Sequence, residues 1–319
     1  MSNIVISTRI RLARNFKDHY FINQISDKDA LEVTEWVKDA FLSSNDKSSL
    51  YFKEITGEEL KKEGGRLIEE HLISPGFMNL TIPGAVIIDN SREISIMVNE
   101  EDHLRIQVIK PGFNLKEALY TANACDDLIE EKHEYAFSEK YGYLTSCPTN
   151  VGTGLRASVM LHLPAITMCG KIEELKGNLS RLGITIRGCY GEGTKAYGNL
   201  YQVSNQITLG ISEEEIIERL TQVVNKIITD EEALRESVKG DALTDKILRA
   251  EGILRSCYLL SFKEFTNLWS YVYLGMDMGI IEKKEDFHRL ISTLAPNSLG
   301  EENPELRDKK RAQLIKEVI

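Results

Sequence analysis

The chain of 319 residues is long enough for one large domain, or for a catalytic domain with a smaller companion. Hydrophobic residues at 42% and charged residues at 28% are an ordinary globular mix, which excludes a disordered or fibrous chain. With 39 Lys and Arg against 49 Asp and Glu, the net charge of −10 excludes a uniformly basic nucleic-acid binder but leaves room for a local basic pocket.

In chain order, residues 4–12 (IVISTRIRL) read as a strand whose alternation puts Arg9 and Arg11 on one face. Residues 26–42 predict a helix capped by Ser26, with Leu31, Val33, Trp36, Val37, Ala40 and Phe41 as its apolar stripe. Strands are predicted at 84–89 and 93–99, joined by a turn at Asn90–Ser91, and at 104–109. A helix is predicted over 114–137, and strand-like pieces return at 155–161, 184–189 and 199–209. After Gly210 the pattern turns helical. Ser212 and Glu215 form a capping box before an amphipathic helix that buries Ile216, Leu220, Val223, Val224, Ile227 and Ile228. Helices follow at 244–260 and 262–274, the second opened by Ser261 and Glu264, and a last one starts at Pro304. The expectation is an α+β catalytic domain over 1–210 and an all-α domain over 211–319, with no internal repeat.

No run of 18 apolar residues predicts a membrane span, and MSNIVISTRI carries no leader pattern, so a cytoplasmic protein is expected. Five cysteines (125, 147, 169, 189 and 257) without a CxxC pair argue against a disulfide framework or a zinc site.

Five arginines stand in strand-like or glycine-flanked segments: Arg9, Arg11, Arg105, Arg156 and Arg187. A guanidinium is permanently charged and presents a fork of donors suited to phosphate oxygens, so several converging would suit a triphosphate. Two acidic spots share that setting, Glu100-Glu101-Asp102 and Glu192. Beside a phosphate site a carboxylate orients a nucleophile and takes its proton. For a guanidinium, with a pKa above about 12, two carboxylates gripping it from different sides would fix its attack direction. Taken singly, each arginine reads rather as a salt-bridged surface residue and each acidic run as a solvated face. Gly152–Ala157 formally fits GxGxxA, but Pro148 precedes it and no βαβ unit surrounds it, so a dinucleotide fold is not expected; a Walker A lysine is absent. Cys147 is the candidate reactive thiol, and Cys125, Cys169, Cys189 and Cys257 read as structural. His71, His103 and His162 read as structural by spacing. Arg307 and Arg311 lie four apart on one helix face beyond Pro304, where a phosphate site and a solvated charged helix are alternatives.

The segments STRIRLAR (7–14), VNEEDHLRI (98–106), SCPTNVGTGLRASV (146–159) and RGCYGEG (187–193) together resemble the phosphagen (guanidino) kinase family, in its motif order, over about residues 4–210. With RDKKRA (307–312) the resemblance extends across the chain to the branch that phosphorylates arginine side chains of proteins. It implies a phosphagen-kinase-like domain with a largely antiparallel sheet flanked by helices, then an all-α domain. It also implies transfer of the γ-phosphoryl of magnesium-bound ATP (Mg2+) to protein arginines. By motif position it gives nucleotide contacts to Ser7, Thr8, Arg9, Ile10 and Arg11, to Arg105, to Arg156, Ala157, Ser158, Val159 and Met160, and to Arg187, Gly188, Cys189, Tyr190, Gly191 and Glu192, with His71 near the adenosine. Glu101 and Glu192 become the catalytic carboxylates, and Cys147 the thiol that tunes the guanidinium. Arg307, Asp308, Arg311 and Ala312 become a phosphoarginine pocket on helices that dimerise.

The implied partners are an activator protein, a Clp-type ATPase/protease that receives marked proteins in the stress response, and a second copy of the chain, with no nucleic acid and no membrane. Small-molecule members carry a helical domain before the STRIR motif, including a lid over free substrate. A motif starting at residue 7 leads to the expectation of no lid and a protein substrate, and of an absent short N-terminal helix. Met160 stands where those members often have His. The alternatives are a small-molecule guanidino kinase and a phosphoarginine-binding adaptor with a silent kinase site.

Overall fold

The structure, a computed structural model, describes residues 4–42, 51–189, 196–282 and 287–319. Strand β1 (Val5–Arg14) is followed by α1 (Asp27–Leu42), β2 (Phe52–Ile55), α2 (Gly57–Glu69), β3 (Ala85–Asp89), β4 (Ile94–Val98) and β5 (Leu104–Pro111). Then come α3 (Leu115–Glu130), the short β6 (Phe137–Ser138) and β7 (Gly142–Tyr143), β8 (Leu155–His162), α4 (Pro164–Met168), α5 (Ile172–Arg181), β9 (Ile184–Gly188) and β10 (Leu200–Asn205). The chain ends in α6 (Glu213–Ser237), α7 (Asp241–Ser256), α8 (Phe262–Asp277), α9 (Phe287–Thr293) and α10 (Pro304–Val318).

The main sheet has eight strands in the order β2-β3-β4-β5-β1-β8-β10-β9. Its ladders from β2 to β5 are antiparallel, with Ile87 opposite Ile96 and Met97 opposite Arg105. Bonds from Ala13 N to Gly154 O and from His162 N to Ile4 O make β1 and β8 antiparallel too. The expected antiparallel sheet flanked by helices is therefore present.

Two compact units partition the chain: Thr8–Ser158 with Ser204–Thr221, and Met1–Ser7 with Val159–Val203 and Gln222–Ile319. Compactness does not divide the chain at residue 210. Ile6 and Leu200 belong to the same apolar core as α7, α8 and α10, and α6 begins in one unit and continues in the other. In the first unit, α1 and α3 pack on β4 and β5, and β3 and β4 are buried along their whole length and mostly apolar, with Asp89 and Ser95 as their buried polar residues. In the second, Trp269, Phe265, Leu254 and Ile315 are fully buried, each worth about 2–3 kcal/mol of transfer free energy. Glu231 of α6 is buried there. Its carboxylate accepts the N–H groups of Ala165 and Ile166 at the start of α4 and pairs with Arg235 at 2.9 Å.

Several local expectations hold in detail. The Ser212–Glu215 capping box is reciprocal, with bonds of 3.0 and 3.2 Å, and Ser261 accepts the Glu264 N–H. The helix expected over 114–137 stops at Glu130. The chain beyond it is held by long-range pairing: Phe16 bridges Tyr135, and the Ala136 N–H donates to Asn15 O at 2.7 Å. The strand expected over 199–209 ends at Asn205, whose side chain accepts the Ala157 N–H and donates to Leu155 O and Ile207 O. Elements β2, α2, β6, β7, α4, α5 and α9 were not anticipated from the sequence.

Candidate active site

Strand parity sets the first part of the site. Along β1, Thr8, Ile10 and Leu12 are buried, while Arg9 and Arg11 look the other way and are half-buried. In the sheet order β1 lies between β5, which carries Arg105, and β8, which carries Arg156. Burial, followed by the charges of Arg9, Arg105 and Arg156, pushes the Arg11 guanidinium well below arginine's ordinary pKa, with Glu100 opposing. Arg11 Nε is buried and has no hydrogen-bond partner among the described residues. Arg105 is likewise lowered by burial, against the pull of Glu100, Glu101 and Asp102. Its Nη1 pairs with Glu100 at 2.8 Å, and Arg156 Nη2 donates to Ser204 Oγ at 3.2 Å.

Four guanidinium groups crowded into partly desolvated positions repel one another, and the fold alone gains nothing from that. The arrangement fits a multiply charged anion, which replaces the lost hydration with charge-assisted hydrogen bonds. A nucleotide triphosphate therefore fits the donor set of Arg9, Arg11, Arg105 and Arg156.

The three consecutive acids take three different places. Glu100 accepts the Ser74 hydroxyl and pairs with Arg105. Asp102 is buried; one of its oxygens, Oδ1, accepts Asn15 Nδ2 and the Ser146 N–H, both at 2.6 Å, while burial raises its pKa. Glu101 is exposed and makes no hydrogen bond or ion pair among the described residues, although its charge acts on Arg105. Of the three, Glu101 is the carboxylate left available to an incoming group. His103 serves the framework: Nδ1 accepts the Phe16 N–H at 3.0 Å, so the proton sits on Nε2 and is donated to Tyr20 O. Burial lowers its pKa to about 4.

Cys147 is half-buried, with Sγ 3.0 Å from Thr149 Oγ1. Its loop is tied to the acidic loop through the Ser146–Asp102 bond, so Glu101 and Cys147 each sit one residue from that contact. The small and apolar motif residues are used by the fold. Thr8 Oγ1 donates to Gly112 O and accepts the Asn114 N–H, Ser158 donates to Arg9 O, and Ser7, Ile10, Ala157 and Val159 are buried. His71 is half-buried in a left-handed conformation (φ 61°), and its carbonyl accepts Gln107 Nε2, two residues along β5 from Arg105.

Met160 packs on the apolar core that contains α7 and α8. Arg187 is exposed at the end of β9, followed by the half-buried Gly188 and Cys189. Tyr190, Gly191 and Glu192 lie outside the described residues. Arg311 is fully buried. It donates to Leu294 O, Leu260 O and Asp308 Oδ1, while Ala312 is buried and Arg307 half-buried. Among the described residues, the one His/carboxylate group close enough to share a metal is His19, Asp29 and Glu32, on α1 and the loop before it; none belongs to the motifs. The sequence reading missed Asn15 and Ser74. Asn15 directly follows the STRIRLAR segment, a usable signal; Ser74 carried none.

Residues 32–234 match the family described as ATP:guanido phosphotransferase, C-terminal catalytic domain. The chain belongs to this family. Residues 240–319 of this guanido phosphotransferase match the family described as Protein-arginine kinase McsB C-terminal domain. It is similar to the protein-arginine kinase of Caldanaerobacter subterraneus subsp. tengcongensis, 45% identical over 98% of this chain and 96% of that one. It is similar to that of Bacillus subtilis at 42%, over 99% of this chain and 90% of that one. Among solved structures it resembles a lombricine kinase at 27% identity and a TM-score of 0.64, covering 75% of this chain and 69% of that one.

Proposed function

We propose that this guanido phosphotransferase transfers the γ-phosphoryl group of ATP to the guanidinium of arginine side chains in proteins. The observation that carries the reading is the crowded arginine cluster of β1, β5 and β8 beside the available carboxylate of Glu101. The acceptor rests on full-length relatives that are named protein-arginine kinases.

In this reading Arg9, Arg11, Arg105 and Arg156 hold the phosphates, and His71 flanks the nucleoside. Magnesium would come with the nucleotide, shielding its charge and leaving the arginines to orient it. Glu101 orients the target guanidinium and accepts its proton as the N–P bond forms and the bond to ADP breaks. Cys147 tunes the guanidinium from the tethered loop. The helices after residue 210 form the dimer and, through Arg307, Asp308, Arg311 and Ala312, the phosphoarginine pocket. The partners are an activator protein and a Clp-type ATPase/protease in the cytoplasmic stress response, and no direct nucleic-acid or membrane contact is part of the reading. No helix among the described residues is long and apolar enough to cross a membrane.

Steady-state transfer from ATP to an arginine-containing protein, run beside free arginine, tests the acceptor. Preference for the protein supports the reading, and preference for free arginine moves it to a small-molecule guanidino kinase.

A further inference from the structure

We infer that Asn15 and Asp102 form a positioning pair that fixes the Glu101 loop against the Cys147 loop for phosphoryl transfer. This rests on the proposed catalytic role of Glu101. Both residues are buried, Asn15 at 1% exposure and Asp102 at 4%, so neither needs its polarity for solubility. Each makes side-chain hydrogen bonds that tie separate segments of the chain together. Asn15 Oδ1 accepts the His103 N–H at 2.9 Å, while Nδ2 donates to Asp102 Oδ1 at 2.6 Å and to Leu144 O at 3.1 Å. The same Asp102 oxygen accepts the Ser146 N–H at 2.6 Å. One amide side chain at the end of β1 therefore grips the start of β5 and the segment leading to Cys147.

Consecutive Cα atoms are about 3.8 Å apart. Glu101 and Cys147 thus hang one residue either side of a 2.6 Å contact, and a shift in that contact moves both. The burial of Asp102 disfavours its anion, yet both backbone and amide donors converge on Oδ1. The site requires an acceptor at that point rather than a charge. An asparagine there presents its carbonyl oxygen to the same two donors. Its amide N–H then faces the Ser146 hydroxyl, which bonds the carboxylate now and has lone pairs to accept.

The test compares Asp102→Asn, Asp102→Ala and Asn15→Ala with the unmodified chain. Three readouts are used: transfer rate, ADP affinity, and the rate of Cys147 alkylation by iodoacetamide. A misplacement near 1 Å costs about 100-fold in rate, so Asp102→Ala and Asn15→Ala are expected to lose about that much kcat. ADP affinity stays, because the arginine cluster is intact, and the alkylation rate of Cys147 shifts. Asp102→Asn restores most of the rate and the unmodified alkylation rate. An Asp102→Asn protein as slow as Asp102→Ala overturns the inference, because the charge itself would then be needed. So does Asp102→Ala with unchanged kcat and alkylation. If Asp102→Ala does not fold, judged by urea unfolding, Asn15→Ala carries the same arm. Alkylation and ADP binding need no acceptor, so an unmodified chain that phosphorylates nothing defeats the functional reading while these readouts still decide this one.

Discussion

Replacing Arg11 with Met is expected to weaken nucleotide binding and, at the same time, to stabilise the free protein. The guanidinium is desolvated and faces the charges of Arg9, Arg105 and Arg156, so its positive charge costs stability whenever no anion is bound. Exchanging buried charge for apolar volume gains about 1–2 kcal/mol in such settings. In a chain of this size class that raises the melting temperature by about 2–4 °C per kcal/mol. Charge-assisted hydrogen bonds contribute about 1.5–3 kcal/mol, so the affinity for ATP should fall about 10- to 150-fold. Calorimetric melting without ligand and isothermal titration with ATP measure both effects without any acceptor. Arg14→Met is the control. Arg14, in the same strand, is fully buried but pairs with Asp126 at 2.6 Å and lies over the Tyr143 ring, so its loss strands a buried carboxylate and costs about 3–5 kcal/mol. Arg11→Met that melts below the unmodified chain and binds ATP as well would refute the phosphate-clamp argument.

Glu101→Gln should cut transfer by about 10²- to 10⁴-fold while ATP affinity holds, since the exposed carboxylate is placed to act on the acceptor; undiminished turnover removes it from the mechanism. For His103, a pKa lowered to about 4 against an ordinary 6.5 means the ring is kept neutral by the fold. Its contribution is complete above about pH 6.5 and is lost as the pH falls toward 4, a change of about 3 kcal/mol. The stability gap between the unmodified protein and His103→Asn, measured by urea unfolding at pH 7 and pH 4, should close by about that amount; a gap independent of pH contradicts the assignment. Arg311→Ala removes donors to two buried carbonyls and strands Asp308, and should cost about 2–4 kcal/mol in thermal unfolding. Arg307→Ala, at a half-buried position, should change it by less than about 1 kcal/mol. Equal melting of the two variants would mean that the Arg311 network does not hold α10.

Local chemistry explains which parts of the fold could be read from the sequence. Alternation along residues 4–12 gives β1 its two faces, and the Ser212 and Ser261 boxes set helix starts that the structure reproduces. Long-range pairing explains the failures. The helical pattern of 114–137 gives no hint that Tyr135 will bridge Phe16, and Asn205 ends its strand by capping backbone groups of β8.

The candidate site divides in the same way. Arg9 and Arg11 share a face by parity, but Arg14, in the same motif, differs by a partner 112 residues away, which no spacing rule supplies. Nor does the run Glu100-Glu101-Asp102 reveal that its first and last members are committed to Ser74, Arg105, Asn15 and Ser146. Spacing in the RDKKRA segment leaves a phosphate site and a solvated charged helix as alternatives, and it gives no hint that the Arg311 guanidinium donates to the carbonyls of Leu294 and Leu260.

Phosphorus NMR of the products is the most direct test. The protein is incubated with Mg-ATP and an arginine-rich protein, with free arginine in a parallel tube, and the products are then exposed to acid. An acid-labile P–N resonance on the protein, and none on free arginine, is the expected result. A resonance on free arginine alone, or none in either tube while ATP still binds the arginine cluster, would contradict protein-arginine phosphorylation as the function of this chain.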